Sequence, residues 1–137
     1  MIYVFDASFV GPQIIPDEKD PDIDKIYQKI KHDDEKQVPQ LFWYEITNLF
    51  KNLERRRRYS NDRVMEFYQT LATISLICDR ETGIEYSKKL LRLCNDYNLS
   101  SYDAAYLELA ERKNATLCTL DESLRAAAKK YGVPVIK

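Results

Sequence analysis

Apolar residues fall along the chain in two rhythms: short solid runs, and longer stretches spaced by three and four. Ile2-Tyr3-Val4-Phe5 is a β-branched and aromatic run that ends at Asp6 and predicts a buried strand. Ala7-Ser8 and Gly11-Pro12 mark a turn beyond it. Asp20 and Pro21 supply an N-cap and a first helical residue. Ile23, Ile26, Tyr27 and Ile30 then keep the spacing of a helix with one packed face. His32-Asp33-Asp34-Glu35 reads as a solvated connection. Pro39 opens a longer helix with an apolar stripe of Phe42, Ile46, Leu49, Phe50 and Leu53, closing on Arg55-Arg56-Arg57-Arg58. A further helix starts near Ser60 with Val64, Phe67, Tyr68 and Leu71 inward, and residues 72–78 predict a second strand.

Tyr86, Leu90, Leu93, Cys94 and Tyr97 make another amphipathic helix. Residues 99–121 are denser. Ser100 caps a helix carrying Ala104, Ala105, Leu107, Leu109 and Ala110, apolar on nearly every side and therefore packed on more than one face. Residues 115–120 form a solid run of the parallel-strand kind, and Asp121 follows where strand gives way to helix. Leu124, Ala127 and Ala128 line that helix, Gly132 stops it, and residues 133–136 make a last short strand. Strands alternate with helices, without repeats or linkers. That pattern predicts a single domain over residues 1–137, of α/β class, with a parallel sheet covered on both faces. Ligands of such sheets bind outside the carboxyl ends of the strands, at a topological switch point. Asp6 and Asp121 both fall at such ends; if their strands are neighbours, the switch point is lined with carboxylates.

Composition narrows the chemistry. With 21 basic and 22 acidic residues in 137, net charge −1, no global attraction to nucleic acid exists and any basic surface is local. Cys78, Cys94 and Cys118 are spaced too widely for a zinc pair motif, and each sits in an apolar run, which predicts buried free thiols in a reducing compartment. His32 is the one histidine, so Ser–His and Cys–His catalysis drop out. Nothing resembles a secretory leader or a membrane span, and the expectation is a soluble cytoplasmic protein with no membrane partner. Asp20-x-Asp22-x-Asp24 has the spacing of a calcium loop, but Lys25 and Lys31 stand where glycine and a bidentate glutamate are needed.

Four acids remain: Asp6, Glu45, Asp103 and Asp121. Singly, each has a structural explanation. Asp103 completes a capping box with Ser100, Asp121 caps the last helix, Asp6 caps a turn, and Glu45, on the apolar side of its helix, pairs with a buried base. Together they are harder to explain, because two carboxylates about 4 Å apart repel by roughly 4 kcal/mol at an effective dielectric near 20. Such a group must take up protons or a cation. Oxygen donors without histidine or cysteine favour Mg²⁺ or Mn²⁺, which suits metal-assisted hydrolysis of a phosphodiester. Ser8 and Thr119 are close enough in sequence to hydrogen-bond the carboxylates, or else to cap helices. Lys51 and Arg55 share a face that could follow a phosphate backbone, although a basic helix end also complements the helix dipole. Tyr44, Tyr102 and Tyr106 could stack bases, while their helical spacing equally suits packing.

The segments IYVFDAS, FWYEITNLF, LSSYDAAYLELA and LCTLDESLRAAAKKYGVPVI resemble, in order and spacing, the motifs of the PIN domain, in particular the VapC-type toxin ribonucleases. The resemblance implies a three-layer α/β/α sandwich with a short central parallel sheet. It implies that Asp6, Glu45, Asp103 and Asp121 are the catalytic, metal-binding acids, with Ser8, Asn48 and Thr119 as polar neighbours. It further implies Mg²⁺- or Mn²⁺-dependent endoribonuclease activity on RNA, a homodimer, and a small cognate antitoxin covering the acidic groove. The acidic, proline-containing segment 16–24 is longer than the family pattern. Two other readings stand beside this one. A phosphatase of the haloacid-dehalogenase type needs a second acid where Ser8 stands. A non-catalytic scaffold would hold RNA or an antitoxin without cutting.

Overall fold

The computed structural model describes residues 1–136. Its strands are β1 (Ile2–Phe5), β2 (Glu35–Val38), β3 (Ile77–Cys78), β4 (Thr116–Cys118) and β5 (Val135–Ile136). All pair in parallel, in the order β3-β2-β1-β4-β5. The chain builds outward from β1 to β3, then returns to lay β4 and β5 on the other side, so the order reverses between β1 and β4. Phe5 lies opposite Cys118 there, which brings Asp6 and the turn before Asp121 to one edge.

Seven helices cover the sheet: α1 (Ala7–Ile14), α2 (Pro21–Lys29), α3 (Leu41–Arg55), α4 (Asn61–Thr73), α5 (Ile84–Tyr97), α6 (Ser101–Arg112) and α7 (Glu122–Tyr131). The alternation of strand side chains divides the core in two. Tyr3, Phe5, Val38 and Cys118 face a cluster with Phe9, Ile23, Phe42, Phe50 and Phe67, from α1 to α4. Val4 and Leu117 face the other way, against Leu93, Leu107, Leu124 and Ala128 from α5 to α7. The result is the expected α/β/α sandwich. Helix α6 is buried continuously from Ala104 to Ala110, because it packs against β1, β4, α5 and α7 at once. Among the described residues no helix is long and apolar enough to cross a membrane.

Several expected caps are present: the Asp20 side chain accepts the Asp22 N–H, Ser60 caps α4, and Gly132 ends α7 with φ +87°. Three expectations are corrected. The supposed turn after Asp6 is helix α1, nucleated when the Asp6 carbonyl accepts the N–H groups of Phe9 and Val10. Gly11 lies within the helix against Leu49, where a Cβ would make ordinary contact with that side chain at 3.4 Å. The connection read at 32–35 runs into β2, whose sequence Glu-Lys-Gln-Val shows no apolar run. Its Lys36 buries its stem and donates from Nζ to the His32 carbonyl at 3.2 Å. Finally, α4 extends to Thr73, leaving only Ile77–Cys78 of the strand expected over 72–78. Cys118 is buried, whereas Cys78 and Cys94 are half-buried.

The acidic segment makes a 3₁₀ turn at Pro16–Glu18 and is pinned to the chain beyond α3. Arg58 and Tyr59 both donate to Asp17 at 2.7 Å, and Arg58 also reaches Glu18 at 3.5 Å. One arginine of the basic run is thus committed to an intramolecular contact.

On the opposite side, α6 is tied to the end of β3. Arg112 donates Nε to Glu108 at 2.7 Å and forks onto Asp79 at 3.1 and 2.6 Å, while the Glu108 side chain is only 1% exposed. Replacing one partner of such a pair leaves a buried charge uncompensated. Arg112→Ala should cost about 3 kcal/mol in urea unfolding, and Arg112→Met combined with Glu108→Leu and Asp79→Asn should recover most of that loss, because no partner carboxylate is then left unpaired.

Candidate active site

Asp6 emerges from β1 with its N–H bonded to the Cys118 carbonyl at 3.0 Å, at the N-terminus of α1. Its carboxylate caps nothing. Oδ2 instead accepts the Ser8 hydroxyl at 2.8 Å and the Thr119 hydroxyl at 2.6 Å. Those hydroxyls accept in turn from the Leu120 N–H and the Asp121 N–H, both at 3.0 Å. Asp6 is buried, and these bonds leave its second oxygen unused.

Asp121 does act as an N-cap. Its Oδ1 accepts the Leu124 N–H at 2.8 Å and the Ser123 hydroxyl at 2.7 Å. These bonds, with the Arg125 charge, hold its carboxyl below the usual range. Among the described residues Glu45, in the second turn of α3, faces no cation. Its partner is the buried Tyr106 hydroxyl, which donates to Oε1 at 2.6 Å. Burial raises the Glu45 carboxyl, the Tyr106 bond opposes this, and Asp6 and Asp103 add to the rise. Burial and the bond to Glu45 also lift the Tyr106 phenol far above its ordinary value, so it remains a donor.

Asp103 sits in the first turn of α6, where its N–H donates to the Ser100 hydroxyl at 3.2 Å. Only this half of the expected capping box forms; among the described residues the Asp103 carboxylate accepts no hydrogen bond. Its pKa is raised by burial, then by Asp121 and Asp6. Glu45 thus responds to Asp6 and Asp103, and Asp103 to Asp121 and Asp6, so Asp103 is within electrostatic reach of the other three acids.

Ser8 and Thr119 stand between the acids as hydrogen-bonding links. Asn48 is exposed one turn after Glu45 and lines cavities on both sides of it. Tyr106 follows the packing alternative: it is 1% exposed and positions Glu45, so it has no face to offer a base. Arg125 went unnoticed. Its guanidinium donates to the Thr119 carbonyl at 3.2 Å, and its i,i+4 spacing from Asp121 was the available signal.

The donors are all carboxylate oxygens, and the half-buried Asp103 carboxylate is unpartnered, which suits a hard divalent cation. As placed, no three acidic, histidine or cysteine side chains among the described residues close around one ion. Glu45 is held by Tyr106 and Asp121 by the α7 cap.

The fold and site together define an α/β sandwich with carboxylates gathered at the switch point of a parallel sheet. The PIN domain pattern matches residues 3–130, and the chain belongs to the PIN domain family, whose members are in general nuclease domains and typically bind divalent metals. The fold is similar to the crystal structure of PAE2754 from Pyrobaculum aerophilum. The TM-score is 0.64 at 20% identity, over 93% of this chain and 84% of that one. Comparison with functionally curated proteins gives no match.

Two expectations follow from the electrostatics. Asp103 and Glu45 keep protons in the folded chain at pH values where the unfolded chain has lost them, so their contribution to stability falls as pH rises above about 4. In EDTA, Asp103→Asn should therefore raise the melting temperature, and the gain over the parent should widen from pH 4 to pH 7. Tyr106→Phe removes the one hydrogen bond favouring the charged form of Glu45, and a carboxyl NMR titration should show that residue titrating higher than in the parent.

Proposed function

We propose that the chain is a Mg²⁺- or Mn²⁺-dependent endoribonuclease that hydrolyses RNA phosphodiester bonds. We further propose that it serves as the toxin of a type II, VapBC-like toxin–antitoxin pair. The observation that carries the activity is the gathering of Asp6, Glu45, Asp103 and Asp121 at the β1/β4 switch point of a PIN domain, with no cation paired to Glu45 or Asp103. The toxin role rests on the likeness of the four sequence motifs to that branch of the family. A homodimer and a small antitoxin covering the acidic groove belong to the same reading.

In this reading the four acids would hold the ion, which would polarise the phosphodiester and lower the pKa of the attacking water. The chain's other residues set the stage. Among the described residues, Ser8 and Thr119 fix one oxygen of Asp6 and leave the other without a partner. Tyr106 orients Glu45. Arg125, fixed on the Thr119 carbonyl, keeps the turn before Asp121 in place. Ser8, standing two residues after the first acid, supplies no proton-donating carboxyl, and the phosphatase reading is set aside.

One observation favours a second reading. The carboxylates do not close around an ion as they stand, which would suit a scaffold that binds RNA or an antitoxin without cutting.

Purified chain, free of partners, should cut total cellular RNA at discrete positions in Mg²⁺ or Mn²⁺. EDTA and Asp103→Asn should each abolish the cuts, read by mapping the new ends. A sample that binds Mn²⁺ but leaves RNA intact would favour the scaffold. Suppression of cutting by a small protein encoded beside this chain, at equal stoichiometry, is the expected mark of the toxin pair.

A further inference from the structure

Large aromatic side chains on a folded surface are kept there at a cost unless something covers them. Tyr44 is 75% exposed and Tyr102 64%, on two different helices. Each immediately precedes an acid of the site, Glu45 on α3 and Asp103 on α6. Adjacent helical residues point about 100° apart, so the tyrosines flank the acids rather than join them. Both line one cavity of about 560 Å³, together with Leu41, Glu45 and Asn48. A second cavity, about 520 Å³, shares Glu45 and Asn48 and continues past Ser8 towards Asn52. The two meet at Glu45 and Asn48, the first carrying the tyrosines and the second carrying Ser8 and Asn52.

The lining of the two cavities decides what they can hold. Neither cavity is lined by lysine or arginine, so phosphate contacts and counterion release cannot supply its affinity locally. Glu45 and Asn48 share the lining with the tyrosines, so the surface is not the uniformly apolar patch that a protein helix buries. A nucleobase suits both features. It is uncharged, presents a flat π face to tyrosine, and carries amino groups that Glu45 and Asn48 can accept from. Bases in a duplex are already stacked, which leaves unpaired ones as the match.

We infer that Tyr44 and Tyr102 form a stacking platform that seats unpaired bases of a single-stranded RNA across the acidic site. The inference rests on the reading of this site as one that acts on RNA, and it assigns base contacts to these two tyrosines.

Binding tests it without any need for cleavage. The probe is a fluorescein-labelled single-stranded RNA 12-mer in Mg²⁺, read by anisotropy with the Asp103→Asn protein. An abasic strand with the same number of phosphates is run beside it. Tyr44→Ala and Tyr102→Ala, each added to that background, should weaken binding by roughly 5- to 150-fold, as expected for loss of one stacked base. Tyr44→Phe and Tyr102→Phe should bind within about threefold of the background protein, because the ring and not the hydroxyl is used. The abasic strand should bind weakly to all of them alike. Both tyrosines are exposed, so unchanged melting temperatures are expected for every variant. The inference is overturned if the 12-mer does not bind, if the alanine variants bind it as well as the background protein, or if the abasic strand binds equally well. It is equally overturned if the substitutions change only the oligomeric state, which would make the tyrosines a protein interface. A chain that binds through the tyrosines yet never cuts RNA would sink the nuclease reading and leave the platform standing.

Discussion

Two hydroxyls converge on one oxygen of Asp6, and much of the rest of the site depends on that junction. Ser8 belongs to the start of α1 and Thr119 to the end of β4, so their bonds to Asp6 join the two halves of the sheet where the strand order reverses. Each hydroxyl accepts a backbone N–H from the 119–121 turn while it donates to the carboxylate, which fixes its direction and that of the turn. A buried carboxylate without a cation is costly unless hydrogen-bonded, and each bond to a charged group is worth about 1.5–3 kcal/mol. The parallel pairing of β1 with β4 and the orientation of Asp6 are therefore one arrangement: neither would keep its geometry without the other.

The remaining acids are held in different ways. Asp121 is stabilised as an anion by the first turn of α7, while Asp103 and Glu45 are penalised by burial and by their neighbours. A stable fold has no use for Asp103 as it stands, half-buried, unpaired and repelled. Residues that oppose folding in this manner cluster at functional sites, where their chemistry is needed more than their contribution to packing. Glu45 shows the compromise: Tyr106 reaches it from α6 and supplies one strong bond, but no opposite charge cancels its own.

How much of this could be read from the sequence follows from what periodicity encodes. Strand β1 and helix α6 were legible because their apolar residues are contiguous or closely spaced, and Asp6 and Asp121 because they interrupt such runs at strand ends. Strand β2 was not, since Val38 is its one apolar residue and the rest of its burial comes from a lysine stem and a glutamine. Helix α1 was hidden by Gly11-Pro12, whose usual meaning is a turn, although here both residues are buried inside the helix. The pairing of Tyr106 with Glu45 spans 61 residues and joins two helices on opposite faces of the sheet. No local spacing carries that information. For the same reason the pinning of the 16–18 turn by Arg58 emerged only in three dimensions.

The sheet closes on each side with a strand of two residues, β3 at one margin and β5 at the other. An outer strand offers unpaired amide and carbonyl groups to any extended chain that drifts past, and its length sets how strongly it can recruit one. Two residues make a poor template, even though Ile77 in β3 is nearly half exposed. The long central strands, by contrast, have neighbours on both sides. Aggregation by strand addition is thereby blunted by the shortness of both margins, with Pro134 directly before β5 and Asp79 directly after β3, and the helices are left as the surfaces through which folded copies can meet.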